Sequence, residues 1–315
     1  MNYNPEILVS PINLEEMKLL ADAGADAFVV GDSRFALCAR GSFTKSELED
    51  AVSYAKTSNK KVYLLIDAIF PNALLSELEI YLTEVADIAF DGIRLADPGA
   101  LMLAKAILPS IEIQLVDAMM LTNYFTVNYW AKKGVKRGRI AYELTLEEVQ
   151  EIKKSANCQA EVLIQGAPLM FTSRRRLVEN YLDFKRTIGK DITLSTKSNH
   201  LFDEERNLYY PIVENEHGTH IYGGSDVCMI DALDEFASVG LDALYIEGFT
   251  YETQDLVKIV ELYKTAIQLL NDDPSKYAQA GPILYAEVEK YKSSKRQLDR
   301  GFYYKPTIYK NKSAN

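Results

Sequence analysis

Three adjacent arginines, Arg174, Arg175 and Arg176, are the densest chemistry in this chain. Each guanidinium presents a planar fork of donors, so neighbouring arginines suit phosphate or carboxylate recognition. They follow an alternating apolar run at 161–165 and a Gly166-Ala167-Pro168 break. A strand ending there would deliver Gln165 and the arginines to one loop. Arg34 and Arg40 follow another apolar run, and Asn72 follows a third. Glu143 and Glu247 stand at the ends of two more. Side by side these carboxylates would make a general acid and base; they could equally anchor Arg34, Arg40 or Arg176.

Nucleophilic chemistry has fewer candidates. The histidines are His200, His217 and His220, and the cysteines Cys38, Cys158 and Cys228. Cys228 and His220 are near enough in sequence for a Cys–His pair, although a turn histidine and a buried thiol are the plainer reading. His217-x-x-His220 after Glu216 carries metal-ligand residue types. Gly218 and the polar turn argue against the helix that would align them, and no HExxH pattern occurs, so no metal site is expected. Tyr181, Tyr209 and Tyr210 could stack on splayed RNA bases, but such aromatics are more often core or interface. Two basic runs, Lys132, Lys133, Lys136, Arg137, Arg139 and Arg174–Arg176 with Lys185, Arg186, Lys190, read as solvated ends or local anion patches.

The elements that must position these residues alternate along the chain. Short Val-, Ile-, Leu- and Tyr-rich runs at 7–11, 27–30, 61–67, 92–96, 111–116, 139–143, 161–165 and 243–247 read as buried parallel strands. Helical patterns follow most of them. Asn13 is placed to cap 14–23, and Thr44 with Glu47 and Thr145 with Glu148 spell capping boxes. Eight such units predict a (β/α)8 TIM barrel in one domain, 1–273, with chemistry at the strand C-terminal ends. Alternating runs and turn residues at 191–224 predict a β-hairpin insertion between strands seven and eight, followed by a helix at 226–239. Residues 274–315 read as a C-terminal extension packed on the barrel, with a helix at 284–293.

Composition narrows the class. The chain has 315 residues, 48% hydrophobic and 25% charged, which suits an ordinary globular core. Its net charge of −10 argues against indiscriminate nucleic-acid coating but leaves room for a local basic patch. Three scattered cysteines without a CxxC pair fit a reducing cytoplasm, and no signal peptide is legible. No apolar run approaches ~20 residues, so no membrane span is expected.

The segment 161–177 resembles the signature of peptidase family U32, which places a cysteine three positions after the glycine and another ten after it; here those are Leu169 and Arg176. Gly31-Asp32-Ser33-Arg34-Phe35, Arg40-Gly41-Ser42-Phe43, Asp97-Pro98-Gly99, Asn128-Tyr129-Trp130 and Glu143-Leu144-Thr145 extend the likeness. Ser225-Asp226-Val227-Cys228-Met229, Ile246-Glu247-Gly248 and Arg300-Gly301-Phe302-Tyr303 carry it nearly to the end. Within the family the chain is most similar to a short subgroup that works beside a longer paralogue in tRNA modification. The resemblance implies hydroxylation of the wobble uridine to 5-hydroxyuridine, with prephenate as oxygen source. It also implies tRNA and a longer U32 paralogue as partners. Hydroxylating members hold an iron–sulfur cluster on four cysteines. Only Cys228 matches one of them, so no cofactor is expected in this chain, and the cluster is expected on the paralogue. Tyr142 stands where the family usually has an arginine. The implied substrate-binding set is Arg34, Arg40, Asn72, Gln165, Arg174, Arg175 and Arg176, with Glu143 and Glu247 as catalytic candidates. The family name implies an alternative, a collagenase-like peptidase. A third reading is a non-catalytic module that clamps an anionic metabolite with Arg174–Arg176.

Overall fold

A computed structural model describes residues 2–116, 120–189 and 199–305. Seven parallel strands come first: β1 (Glu6–Val9), β2 (Ala27–Val30), β3 (Lys61–Ile66), β4 (Gly92–Leu95), β5 (Ile113–Leu115), β6 (Val135–Arg139) and β7 (Gln159–Gly166). Between them run α1 (Leu14–Ala23), α2 (Lys45–Thr57), α3 (Asn72–Glu84), α4 (Pro98–Ile107), α5 (Tyr124–Lys132) and α6 (Leu146–Ser155). The helix starts follow local side-chain chemistry. Asn13, Thr44, Asp97, Asn123 and Thr145 each accept a hydrogen bond from a first-turn N–H, and Glu47 and Glu148 complete capping boxes.

After β7 the chain leaves the barrel. It forms β8 (Leu169–Ser173), α7 (Leu177–Thr187), β9 (Asn199–Asp203), β10 (Leu208–Asn215) and β11 (Gly218–Tyr222). These strands make an antiparallel sheet in the order β8-β11-β10-β9. β12 (Ser225–Cys228) then returns antiparallel to β7, with Val227 opposite Gly166. After α8 (Leu233–Ser238), β13 (Ala243–Ile246) slots in parallel between β7 and β1. Leu244 faces Val162 on one side and Ile7 on the other, which closes eight parallel strands into a (β/α)8 barrel. Two long helices, α9 (Thr253–Asp272) and α10 (Pro274–Glu289), pack on each other. The last described strand, β14 (Gln297–Asp299), pairs with β12.

Four expectations change. Strand six, expected at 139–143, ends at Arg139, because its earlier part carries Lys136, Arg137 and Arg139 and does not read as apolar. The excursion starts at Leu169, directly after the Gly-Ala-Pro break, and is a four-stranded sheet with a helix; the expected hairpin is its β10–β11 portion. The stretch 226–239 opens as β12 instead of a helix, since Val227 and Cys228 complete the sheet beside β7. The tail helix runs Pro274–Glu289, earlier than 284–293, started by the Asp273 cap and Pro274. The first part of the expected insertion, 191–198, together with Lys190, lies outside the described residues.

Candidate functional site

The barrel axis is filled by charge. Glu161 of β7 is fully buried and accepts from Arg94 of β4 at 2.8 and 2.6 Å and from Arg139 of β6 at 2.7 Å. Arg94 also donates to Gln114 of β5 at 2.8 Å, and the Arg139 guanidinium lies 3.7 Å from the Tyr245 ring centroid. Burial alone would raise the Glu161 carboxyl; Arg94 and Arg139 together hold it well below the usual carboxylate range. Below this layer Arg137 pairs with Glu6 at 2.6 Å, and Glu6 also takes Lys61 and the Tyr63 hydroxyl. Arg137 and Arg139, expected on a solvated run, therefore sit in the interior: two residues apart on a strand, they share one face. The bore is plugged by these pairs, with a recess of about 890 Å³ bounded by Glu6, Lys61, Arg137 and Asp242 at its N-terminal end and the loop-lined mouth at its C-terminal end.

At that mouth lie two adjoining spaces. A nook of about 20 Å³ is bounded by Arg139, Tyr245, Glu247 and Pro168. That is room for about one water. Glu247 is buried there, its carboxylate accepting from the Phe249 N–H at 2.9 Å and the Tyr245 hydroxyl at 3.3 Å. Cys38, Tyr142 and Leu169 separate the nook from a cleft of about 400 Å³. The cleft runs between β8 and the loops after β2, β3, β4 and β6, and its surface is mostly apolar. Glu143 lines it and is exposed, so Glu143 and Glu247 face neighbouring spaces, one open and one closed. The tip of the insertion crosses to the rim: His217 Nε2 lies 2.5 Å from the Ser33 carbonyl oxygen.

The expected binding residues divide by burial. Arg40 is interior, donating to Glu16 at 2.7 Å and the Tyr251 carbonyl at 3.0 Å. Gln165 is fully buried, held by the Tyr251 hydroxyl at 2.6 Å and the Tyr263 hydroxyl at 3.0 Å. Both build the wall and are unavailable to a ligand without rearrangement. Arg34 is half exposed, pairs with Asp32 at 2.7 Å and lies over the Phe35 ring. Asn72 opens α3 and is exposed. Arg174, Arg175 and Arg176 are exposed on the insertion just after β8; Arg176 pairs with Glu179 at 2.9 Å, not with Glu143 or Glu247. What sequence reading missed is the apolar wall of β8, Leu169-Met170-Phe171, an apolar run directly after the Gly-Ala-Pro break.

Cys228 and His220 do not form a pair. Cys228 is buried, its Sγ 4.0 Å from the Tyr263 hydroxyl, and burial pushes the thiol up to about 12. His220 instead meets Thr172 Oγ1 at 2.5 Å and Asn215 Oδ1 at 3.2 Å, so both ring nitrogens are engaged away from Cys228. Among the described residues no group of three or more His, Cys, Asp or Glu side chains is arranged to hold a metal ion. Of the positions compared with the family's cluster cysteines, Leu169 borders the nook, Arg176 is exposed, and Cys228 is enclosed by tyrosine and backbone.

Residues 12–312 match the sequence model of peptidase family U32. The chain belongs to that family. Its relatives include tRNA hydroxylation protein P2 of Bacillus subtilis (strain 168), 34% identical over 97% of this chain and 99% of that protein. Another is tRNA hydroxylation protein P1 of the same organism, 25% identical over 87% of this chain but only 65% of that protein. Among solved structures, dihydrodipicolinate synthase DapA-2 from Bacillus anthracis superposes with a TM-score of 0.50 at 12% identity, covering 92% of this chain and 82% of that one. That likeness shows the barrel fold alone. No described helix is long and apolar enough to cross a membrane.

Proposed function

We propose that this U32 chain serves tRNA hydroxylation as a binding subunit without a cluster of its own. The observation that carries the reading is the end-to-end likeness to tRNA hydroxylation protein P2. The reaction is formation of 5-hydroxyuridine at the wobble position, with prephenate as oxygen source. The iron–sulfur chemistry resides on a longer paralogue, of which P1-like proteins are the model in length. The missing thiolates at Leu169 and Arg176 support that division of labour. This chain contributes the barrel mouth: the cleft beside β8, Glu143, Arg34, Asn72 and the exposed Arg174 and Arg175. Arg40, Gln165 and Glu247 shape that mouth from behind. The cell compartment is the cytoplasm, where tRNA is found.

The test is deletion of the gene in its host under oxygen-limited growth, followed by mass spectrometry of wobble nucleosides in total tRNA. Loss of 5-hydroxyuridine-derived nucleosides, restored by the intact gene, is the expected result. Unchanged nucleosides would remove this reading and leave the peptidase and metabolite-binding alternatives.

A further inference from the structure

The mouth cleft has a charge pattern that discriminates between ligands. Among the described residues its lining contains the carboxylates Asp67, Asp97 and Glu143 and no lysine or arginine. Asp67 accepts from the Leu37 N–H, and Asp97 caps α4 by accepting from the Ala100 N–H, so both carboxylates are fixed in place by the loops. A small dianion there would lose water and meet carboxylates, with no cation among the described lining residues. The rest of the wall suits an uncharged planar ring. Ile69, Met120, Met170 and Phe171 are large apolar side chains, 43%, 62%, 49% and 44% exposed, gathered on one cleft. Phe171 offers a flat face, and methionines adapt to an aromatic partner. Among the described residues β8 has a sheet neighbour on one side only, β11, and an edge strand carries unpaired N–H and C=O groups that can read the rim of a heterocycle. Directly after β8, and outside the cleft, come the exposed Arg174 and Arg175.

A neutral ring inside and anionic groups at the arginines is the division of charge within a nucleotide of an unpaired RNA loop. Resting on the reading that this chain meets tRNA, we propose that the cleft holds one unstacked, uncharged base of an RNA loop and excludes anionic small molecules. Phe171 and Met170 form its ring-holding wall, and Arg174 and Arg175 hold the flanking phosphates. An anionic oxygen donor then binds elsewhere in the assembly.

The experiment uses the full chain and a short RNA hairpin with 2-aminopurine in its loop, followed by fluorescence. Saturable binding with a change in 2-aminopurine emission is expected, undisturbed by excess prephenate. Phe171→Ala should weaken binding about tenfold or more and remove the emission change. Ile69→Ala, on the barrel side of the cleft, should reduce both. Arg175→Ala should weaken binding and flatten its salt dependence while the bound hairpin keeps its emission change. Unchanged circular dichroism and melting of each variant mark these as losses of contact. The proposal is overturned if prephenate displaces the base, if the emission change survives in both Phe171→Ala and Ile69→Ala, or if the hairpin does not bind. The wider tRNA reading is judged separately, by the nucleosides lost or kept on gene deletion.

Discussion

Cys228 stands where the family resemblance implies a cluster ligand, yet its surroundings make it a core residue. Buried beside Tyr263 with its thiol pushed up to about 12, it should resist iodoacetamide in the folded protein at pH 8 and react fully in guanidinium. Peptide mass spectrometry reads this directly, and rapid native labelling of Cys228 would contradict the burial. Glu161 makes the opposite case, a carboxylate that must stay charged. Glu161→Gln leaves Arg94 and Arg139 uncompensated in the bore, so denaturant melts should show a loss of about 3–5 kcal/mol. At this scale the sequence was half legible. The two-residue spacing of Arg137 and Arg139 was a signal of a shared strand face, but it was hidden in a run with three lysines that resembles a solvated end. Arg94 stands alone among apolar neighbours, and nothing local says that its partner lies 67 residues away.

At the scale of elements the insertion is the part with measurable responses. His220 joins β11 to β8 and β10 through Thr172 and Asn215, and burial pushes its imidazole down to about 4. A depressed histidine is neutral when folded, while the unfolded chain takes up a proton below its ordinary value near 6.5. The insertion should therefore be stable above about pH 7 and lose on the order of 1–2 kcal/mol as pH falls from 6.5 to 5. Hydrogen exchange of β8, β10 and β11, corrected for intrinsic rates, reads this, and His220→Gln should flatten the profile. Gly218 turns β10 into β11 with φ at +107°, and a Cβ there would lie 2.0 Å from the Ser173 carbonyl oxygen. Gly218→Ala should thus loosen the insertion while the barrel keeps its main melting transition, seen as protease cleavage confined to residues 169–222. Capping boxes and apolar runs made most barrel strands and early helices readable. The insertion was not, because its strands are amphipathic, half exposed and paired out of sequence order.

For the whole molecule, the cleft belongs jointly to the barrel loops and to β8, so neither part makes a site alone. A longer paralogue carrying the missing thiolates should co-purify with this chain under native expression, and a chain recovered always alone would count against the division of labour proposed above. The closure of the barrel adds a constraint in time. β1 pairs with β2 on one side and with β13 on the other, so the first strand made waits for almost the last. On the ribosome, roughly 240 residues must emerge before Glu6–Val9 loses its open edge, and that edge is an aggregation template while it lasts. Products truncated before Ala243 should therefore be insoluble even though they contain seven of the eight barrel strands, so ribosome stalling late in this gene is more damaging to the cell than its position suggests.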